Sequence, residues 1–419
     1  MDFRETLAKN GIRNLKELLE PALPKGTEVL DYHYTDLTAP GDNYGSTMLS
    51  VFVNLSNSTN EQPKQLQLVA KMRPASEEFL EIFQIDITFV KEAAVYSQIV
   101  PAMVTLQQEM GFPETETIDV FCRCYNARVS LDPTSRKVDA DGVMLLENLK
   151  LDGYLTEDRR KGFPPHIAEY ILKKLSLFHA IPIALRYLKP EVFKSNLQQY
   201  LIKFDIDAGL GEQTIDKMVK VMRTDLIKAG VDTQLAERVM SAVAECRKRQ
   251  ARLLSDEMTP YCTMLHNDLW VNNMMIKYDA EMKPLGLKFV DFQLIQMDSL
   301  VRDVLFFLLT SVSDPDLENS LDEYFEKYFL NLLTDLTKLK CPNLSQFTYE
   351  SFQEEINRVA PRELYHIVAM LRVVLARKES IPDHSELDAE LFCNDNLVEK
   401  DFYDKLLVVV KIFAKKGWL

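Results

Sequence analysis

The stretch MLHNDLWVNNMMIKYDAEMKPLGLKFVDFQL, Met264 to Leu294, decides the reading of this 419-residue chain. Residues 263–265 form an apolar lead-in. The run Met274-Met275-Ile276 leads out of a polar loop, a turn is expected around residues 283–286, and residues 287–290 deliver the chain to Asp291. Punctuated this way, the pattern predicts strand, polar loop, strand, turn, strand. Asp268, Asn273 and Asp291 then stand at loop ends beside a short hairpin.

Two carboxylates and one carboxamide in this arrangement suit phosphoryl transfer. One carboxylate must face an incoming hydroxyl, which fits Asp268. A second carboxylate and an amide oxygen must hold Mg²⁺ against a triphosphate, which fits Asp291 and Asn273. Mg²⁺ prefers oxygen ligands and completes its shell with water and phosphate oxygens. The same parts recur in the protein-kinase template, with an Asp, an Asn five positions later and a metal-binding Asp on a following D-F-x turn. Asp268 and Asn273 have that spacing, and Asp291-Phe292-Gln293 stands where D-F-G would. The plainer reading is a polar hairpin whose Asp and Asn residues only make turns. The N-terminal half argues against it by supplying the remaining parts.

There, residues 29–30 and 47–55 read as strands around a glycine-containing turn that includes Asn43, Tyr44, Gly45 and Ser46. Such a turn lets backbone N–H groups approach phosphates, although an ordinary hairpin turn has the same look. Residues 66–71 form a third strand, ending in Lys71. Val69 and Lys71 share one face, and Leu68 and Ala70 the other. Residues 84–101 read as a helix stopped by Pro101, with Ile85, Phe89, Glu92 and Tyr96 on one stripe. A glutamate on an apolar stripe requires a partner, and Lys71 is the obvious one.

Residues 117–127 and 142–146 read as two more strands, the second running into Glu147, Asn148 and Leu149. Five strands and one helix give an N-terminal lobe, with the boundary set at 149/150. The remainder reads as mainly helical: 165–180, 191–206, 211–229, 233–257, 301–312, 318–339, 347–376 with an interruption at Pro361, and 401–416. Helical spacing near the N-terminus ends at Pro21 and Pro24. The expected fold class is therefore α+β and bilobal, with domains 1–149 and 150–419.

A net charge of −14 argues against nucleic acid or an anionic membrane surface as a main partner. With 47% hydrophobic and 27% charged residues, the composition is that of an ordinary globular protein able to bury a large core. The opening residues MDFRETLAKNG lack an apolar signal segment, and no apolar run approaches the roughly 18 residues of a membrane span. The six cysteines at 122, 124, 246, 262, 341 and 393 lack metal spacing and read as reduced thiols in a cytoplasmic protein.

Together these parts resemble the insect ecdysteroid-kinase-like proteins, related to aminoglycoside phosphotransferases and choline kinases within the protein-kinase-like fold. The matching residues are Gly41-Asp42-Asn43-Tyr44 with Ser46, Val69-Ala70-Lys71, Glu92 with Tyr96 and Pro101, and Leu145-Leu146-Glu147-Asn148-Leu149 with Gly153-Tyr154. They continue with His266-Asn267-Asp268-Leu269-Trp270-Val271-Asn272-Asn273, Lys288-Phe289-Val290-Asp291-Phe292-Gln293, and Asp303. The resemblance implies ATP-dependent phosphorylation of a hydroxyl on a lipophilic small molecule such as an ecdysteroid.

By that resemblance Asp268 is the catalytic aspartate, and Asn273 and Asp291 are the Mg²⁺ ligands. Lys71, oriented by Glu92, holds the α/β-phosphates. The backbone around Glu147, Asn148 and Leu149 binds adenine. Asn43, Tyr44, Gly45 and Ser46 cover the phosphates, and Asp303 supports the catalytic loop. Asn267 stands where many relatives have glycine, and Asn148 where aspartate is common. A detoxification kinase for hydroxylated xenobiotics, a choline- or ethanolamine-type kinase, and a ligand-binding pseudokinase are the competing readings. The expected assembly is a monomer or weak dimer.

Overall fold

A computed structural model describes residues 7, 11–37, 46–57, 64–74, 77–135, 137–203, 210–252, 258–380 and 393–419. Its first unit is a five-stranded antiparallel sheet in the order β1-β2-β3-β5-β4. The strands are β1 (Thr27–Asp36), β2 (Thr47–Asn57), β3 (Lys64–Met72), β4 (Cys124–Arg128) and β5 (Val143–Glu147). Their period-two patterning sets the two faces. Leu49, Val51, Val53 and Leu55 of β2, with Leu68 and Ala70 of β3, are buried under Ile12, Leu15 and Leu19. Leu15 and Leu19 belong to the short helix α1 (Leu15–Leu19). On the opposite face Val69, Met144 and Leu146 join the main core.

Between β3 and β4 the chain forms α2 (Glu77–Ile82), α3 (Ile85–Ala94) and α4 (Val100–Glu109). Pro101 does not stop this helical run. A π-turn over Val95–Ile99 carries the chain through, and the proline falls in the first turn of α4, where no N–H is required of it. The expected strand over 117–127 shrinks to β4, because the preceding residues turn to other partners.

The rest of the chain is built from α5 (Pro165–Leu188), α6 (Pro190–Asn196), α7 (Glu212–Lys228), α8 (Thr233–Arg252), α9 (Val301–Ser311), α10 (Leu317–Lys338), α11 (Tyr349–Val374) and α12 (Lys400–Lys416). Two small antiparallel ribbons sit among them. One pairs β6 (Cys262–Leu265) with β9 (Gln296–Ser299). The other pairs β7 (Met274–Tyr278) with β8 (Pro284–Phe289). β9 has no clear counterpart in the sequence pattern, since Gln296-Met297-Asp298-Ser299 carries little strand signal.

Pro361 lies inside α11 without breaking it. An interior proline costs about 3 kcal/mol. Burial of Phe352, Ile356, Val359, Leu364, Val368 and Leu371 along one face outweighs that cost. The helix expected over 191–206 ends instead at Asn196.

The two units meet at an aromatic joint. The ring of Phe292 lies 5.1 Å from Phe121, 6.0 Å from Tyr96, 6.4 Å from Phe178 and 5.0 Å from His266. Phe121 bridges to Phe289, Val120 accepts the Phe289 N–H at 2.7 Å, and Lys288 donates to the carbonyls of Asp119 and Phe121. The segment before β4 thus pairs with the second unit rather than with its own sheet. The result is an α+β, bilobal fold.

Candidate active site

β6 delivers the chain to His266, and Asn267 turns it with φ 64°. The turn is held from below by Asp303, buried near the start of α9. Its two oxygens accept the N–H groups of His266 at 2.7 Å and Asn267 at 2.8 Å. His179 of α5 points Nε2 at the same carboxylate, 3.2 Å away, and the Tyr328 hydroxyl meets Nδ1 at 2.7 Å. Burial alone would raise the Asp303 pKa. The hydrogen bond from His179, the two histidines and the His266 amide overrule it, and the carboxylate is held below its usual range.

The His266 ring is buried, which lowers its pKa and keeps it neutral. Its Nε2 lies 3.0 Å from the Val290 carbonyl and therefore carries the proton that makes this bond. The imidazole in this way fastens the loop to the residue before Asp291.

Asn273 provides the next link. Its Nδ2 donates to the Asp268 carbonyl at 2.8 Å and to Asp268 Oδ2 at 2.9 Å, while its own carbonyl accepts the Val290 N–H at 3.0 Å. Asp268, Asn273 and the strand end before Asp291 are joined in one short relay. Burial first, and then the negative field of Asp291, push the Asp268 carboxyl well above its ordinary pKa.

Asp291 adopts a left-handed backbone, φ 67° and ψ 68°, and its Oδ1 lies 2.9 Å from Lys71 Nζ. Glu92 Oε2 is 2.6 Å from the same ammonium. Lys71 is 4% exposed and Glu92 fully enclosed. Burial works against the Lys71 charge, but the two carboxylates win and hold its pKa above the normal lysine range. Burial likewise pushes the Glu92 carboxyl upward while Lys71 pulls it down.

Met48 of β2 lies opposite Lys71 of β3, which sets Ser46 at the head of β2, buried and close to that lysine's strand. Asn43, Tyr44 and Gly45 lie outside the described residues. Glu147, Asn148 and Leu149 follow at the end of β5. The Glu147 side chain accepts the Arg123 N–H at 3.0 Å, and the Asn148 side chain caps the turn Leu149–Asp152. Both side chains are thereby committed to structure, and the backbone is partly committed too: the Glu147 N–H donates to the Arg123 carbonyl, and the Asn148 and Leu149 carbonyls accept the N–H groups of Leu151 and Tyr154.

Among the described residues no group of three or more His, Cys, Asp or Glu side chains forms a metal cage. The oxygens that are present fit a different kind of site. Asn273 spends its Nδ2 on Asp268, so its amide oxygen remains as an acceptor beside the carboxylates of Asp268 and Asp291. One or two carboxylates, an amide oxygen and phosphate oxygens make a Mg²⁺ shell that is complete only with nucleotide.

The sequence pattern predicted Lys71, Glu92, Asp268, Asn273 and Asp291, and the structure brings all five together. It also adds contacts that the pattern did not suggest. Buried in α5, His179 supports the Asp303 carboxylate. Gln296 Nε2 donates to Asn267 Oδ1 at 3.0 Å, steadying the same turn from β9.

A family model described as the ecdysteroid kinase-like family matches residues 40–341. The chain belongs to that family. Membership places this ecdysteroid kinase-like protein among the small-molecule kinases, as a phosphotransferase. A search of curated proteins finds no match. Among solved structures the chain is similar to the ADP-bound aminoglycoside phosphotransferase APH(2'')-Ib, with 13% identity, 87% of this chain and 95% of that chain covered, and a TM-score of 0.24. No helix among the described residues is long and apolar enough to cross a membrane.

Proposed function

We propose that this protein transfers the γ-phosphoryl group of ATP to a hydroxyl of a lipophilic small molecule such as an ecdysteroid. The observation that carries the reading is the convergence of Lys71, Glu92 and Asp291 in one ion-pair chain, beside the Asp268–Asn273 relay. Asp268 faces the acceptor hydroxyl and takes its proton as the new O–P bond forms. The bond from the γ-phosphorus to the bridging oxygen breaks, and ADP leaves with that electron pair.

Lys71, kept charged and in place by Glu92, holds the α/β-phosphates. Asn43, Tyr44, Gly45 and Ser46 cover the phosphates, and the backbone of Glu147, Asn148 and Leu149 receives adenine. Asn273 and Asp291 are the residues that hold Mg²⁺, which when bound neutralises charge on the phosphoryl oxygens. The nucleotide lobe is proposed to end at 149 and the acceptor-binding lobe to begin at 150. The protein is proposed to act as a cytoplasmic monomer or weak dimer.

The test is Mg²⁺-dependent ATP consumption against ecdysteroids, other hydroxylated lipophilic compounds and choline. Asp268→Ala is expected to lower turnover by roughly 10²–10⁴-fold, the scale of a lost positioned base, with ATP affinity nearly intact. Equal turnover by Asp268→Ala and the parent protein would contradict the assignment. Turnover on choline alone would contradict the lipophilic acceptor.

A further inference from the structure

Helix α3 touches both halves of the site. On one side it packs on the turn Phe292–Leu294 and carries Glu92 to Lys71. On the other it packs on the turn Gln198–Tyr200 of the second lobe. Lys91, next to Glu92, is 1% exposed, and its ammonium donates to the carbonyl of Ile202. Among the described residues no carboxylate faces it.

Among the described residues the partner of this buried ammonium is a neutral carbonyl, an expensive way to fill space. A methionine of similar length would pack the same contact without that cost. What the lysine adds is direction, because a charge-assisted hydrogen bond fixes geometry more narrowly than apolar contact does. Successive helix residues lie about 100° apart around the axis. Anchoring Lys91 toward Ile202 therefore fixes the angle at which Glu92 meets Lys71. The same bond takes the Ile202 carbonyl that a longer α6 would have used for its own ladder.

We propose that Lys91 is a positioning residue. Through Ile202 it locks the rotation of α3, and so makes the Lys71–Glu92 pair depend on how the 197–203 segment of the second lobe is seated. The kinetic consequence rests on the phosphoryl-transfer reading; the structural consequence does not.

The test uses the full chain with Lys91→Met, Lys91→Arg, Glu92→Gln and the double variant Lys91→Met/Glu92→Gln. The readouts are thermal melting, hydrogen exchange of the α3 amides, and kcat and KM for ATP. Lys91→Met is expected to melt at or above the parent temperature while its α3 amides exchange about tenfold faster. Its kcat is expected to fall about tenfold with KM for ATP changed less than about threefold, and the double variant to be no slower than Glu92→Gln alone. Lys91→Arg, which keeps a donor, is expected to recover most of the loss.

Exchange and kcat of Lys91→Met within about twofold of the parent would overturn the proposal. So would losses that add to those of Glu92→Gln, or a failure of Lys91→Arg to recover activity while folded. If the parent protein shows no phosphoryl transfer, that reading fails, and the exchange result alone still decides the role of Lys91.

Discussion

Asp303 shows what one side chain contributes to this site. Its carboxylate accepts two successive backbone N–H groups, from His266 and Asn267, as well as the His179 ring. Removing the charge leaves three buried donors competing for weaker acceptors, at a cost of about 1–3 kcal/mol. Asp303→Asn is therefore expected to lower kcat by about ten- to a hundredfold with little change in nucleotide affinity; steady-state kinetics beside calorimetric ADP binding checks it. Lys71, Glu92, Asp268, Asn273 and Asp291 were legible in the sequence because each ends or punctuates a local pattern: a strand, an apolar stripe, a loop or a hairpin. His179 and Lys91 were not, because what gives them meaning lies 124 and 111 residues away, at Asp303 and Ile202. Nothing in their own neighbourhood separates them from an ordinary core histidine and an ordinary surface lysine.

At the scale of elements, α11 is tied to the head of α9, and so to Asp303, by a buried ion pair. Arg302 donates to Glu363, to which His366 also turns its Nδ1 at 3.2 Å, and its guanidinium reaches Asp298 at 2.9 Å. Burial pushes the Glu363 carboxyl up, but Arg302 and His366 overrule it and hold the pKa down at about 2. A carboxylate lowered from its unfolded value near 4.5 contributes stability that is present above pH 4.5 and is lost as pH falls toward 2. Glu363→Gln is expected to lower stability near neutral pH by about 3 kcal/mol, with the gap to the parent protein closing as the medium is acidified below about pH 4. Urea denaturation at several pH values measures it, and a gap that widens on acidification would contradict the account. Element type was readable where the period was long and clean, as in α5, α9 and α11. It failed where tertiary partners took over: the π-turn that carries the helix past Pro101, the strap after α6 whose Ile202 carbonyl goes to Lys91, and the segment before β4 that pairs with β8.

At the scale of the molecule, the two lobes share one core, and the D-F-Q phenylalanine is its centre. Phe121 from the first lobe and Phe178 from the second both meet Phe292, so the residue after Asp291 reports on how the lobes are joined. Phe121→Ala is expected to cost about 3–5 kcal/mol and to loosen that junction, seen as a lower urea midpoint and faster proteolysis between the lobes. The bilobal α+β plan was legible because five strands precede the long helical run; the bond between the lobes was not, because it is made by a segment whose pattern reads as strand but whose partner lies in the other lobe. The cluster around Lys71, Asp268 and Asp291 is proposed to perform ATP-dependent phosphoryl transfer to an alcohol. The most direct measurement is Mg²⁺-dependent ATP turnover with an ecdysteroid panel, comparing the parent protein with Asp268→Ala and Asp291→Ala. Expected are acceptor-dependent turnover by the parent, near-normal ATP binding with turnover lowered roughly 10²–10⁴-fold for Asp268→Ala, and loss of Mg²⁺-dependent nucleotide binding for Asp291→Ala. Turnover undiminished by both substitutions would contradict the proposal.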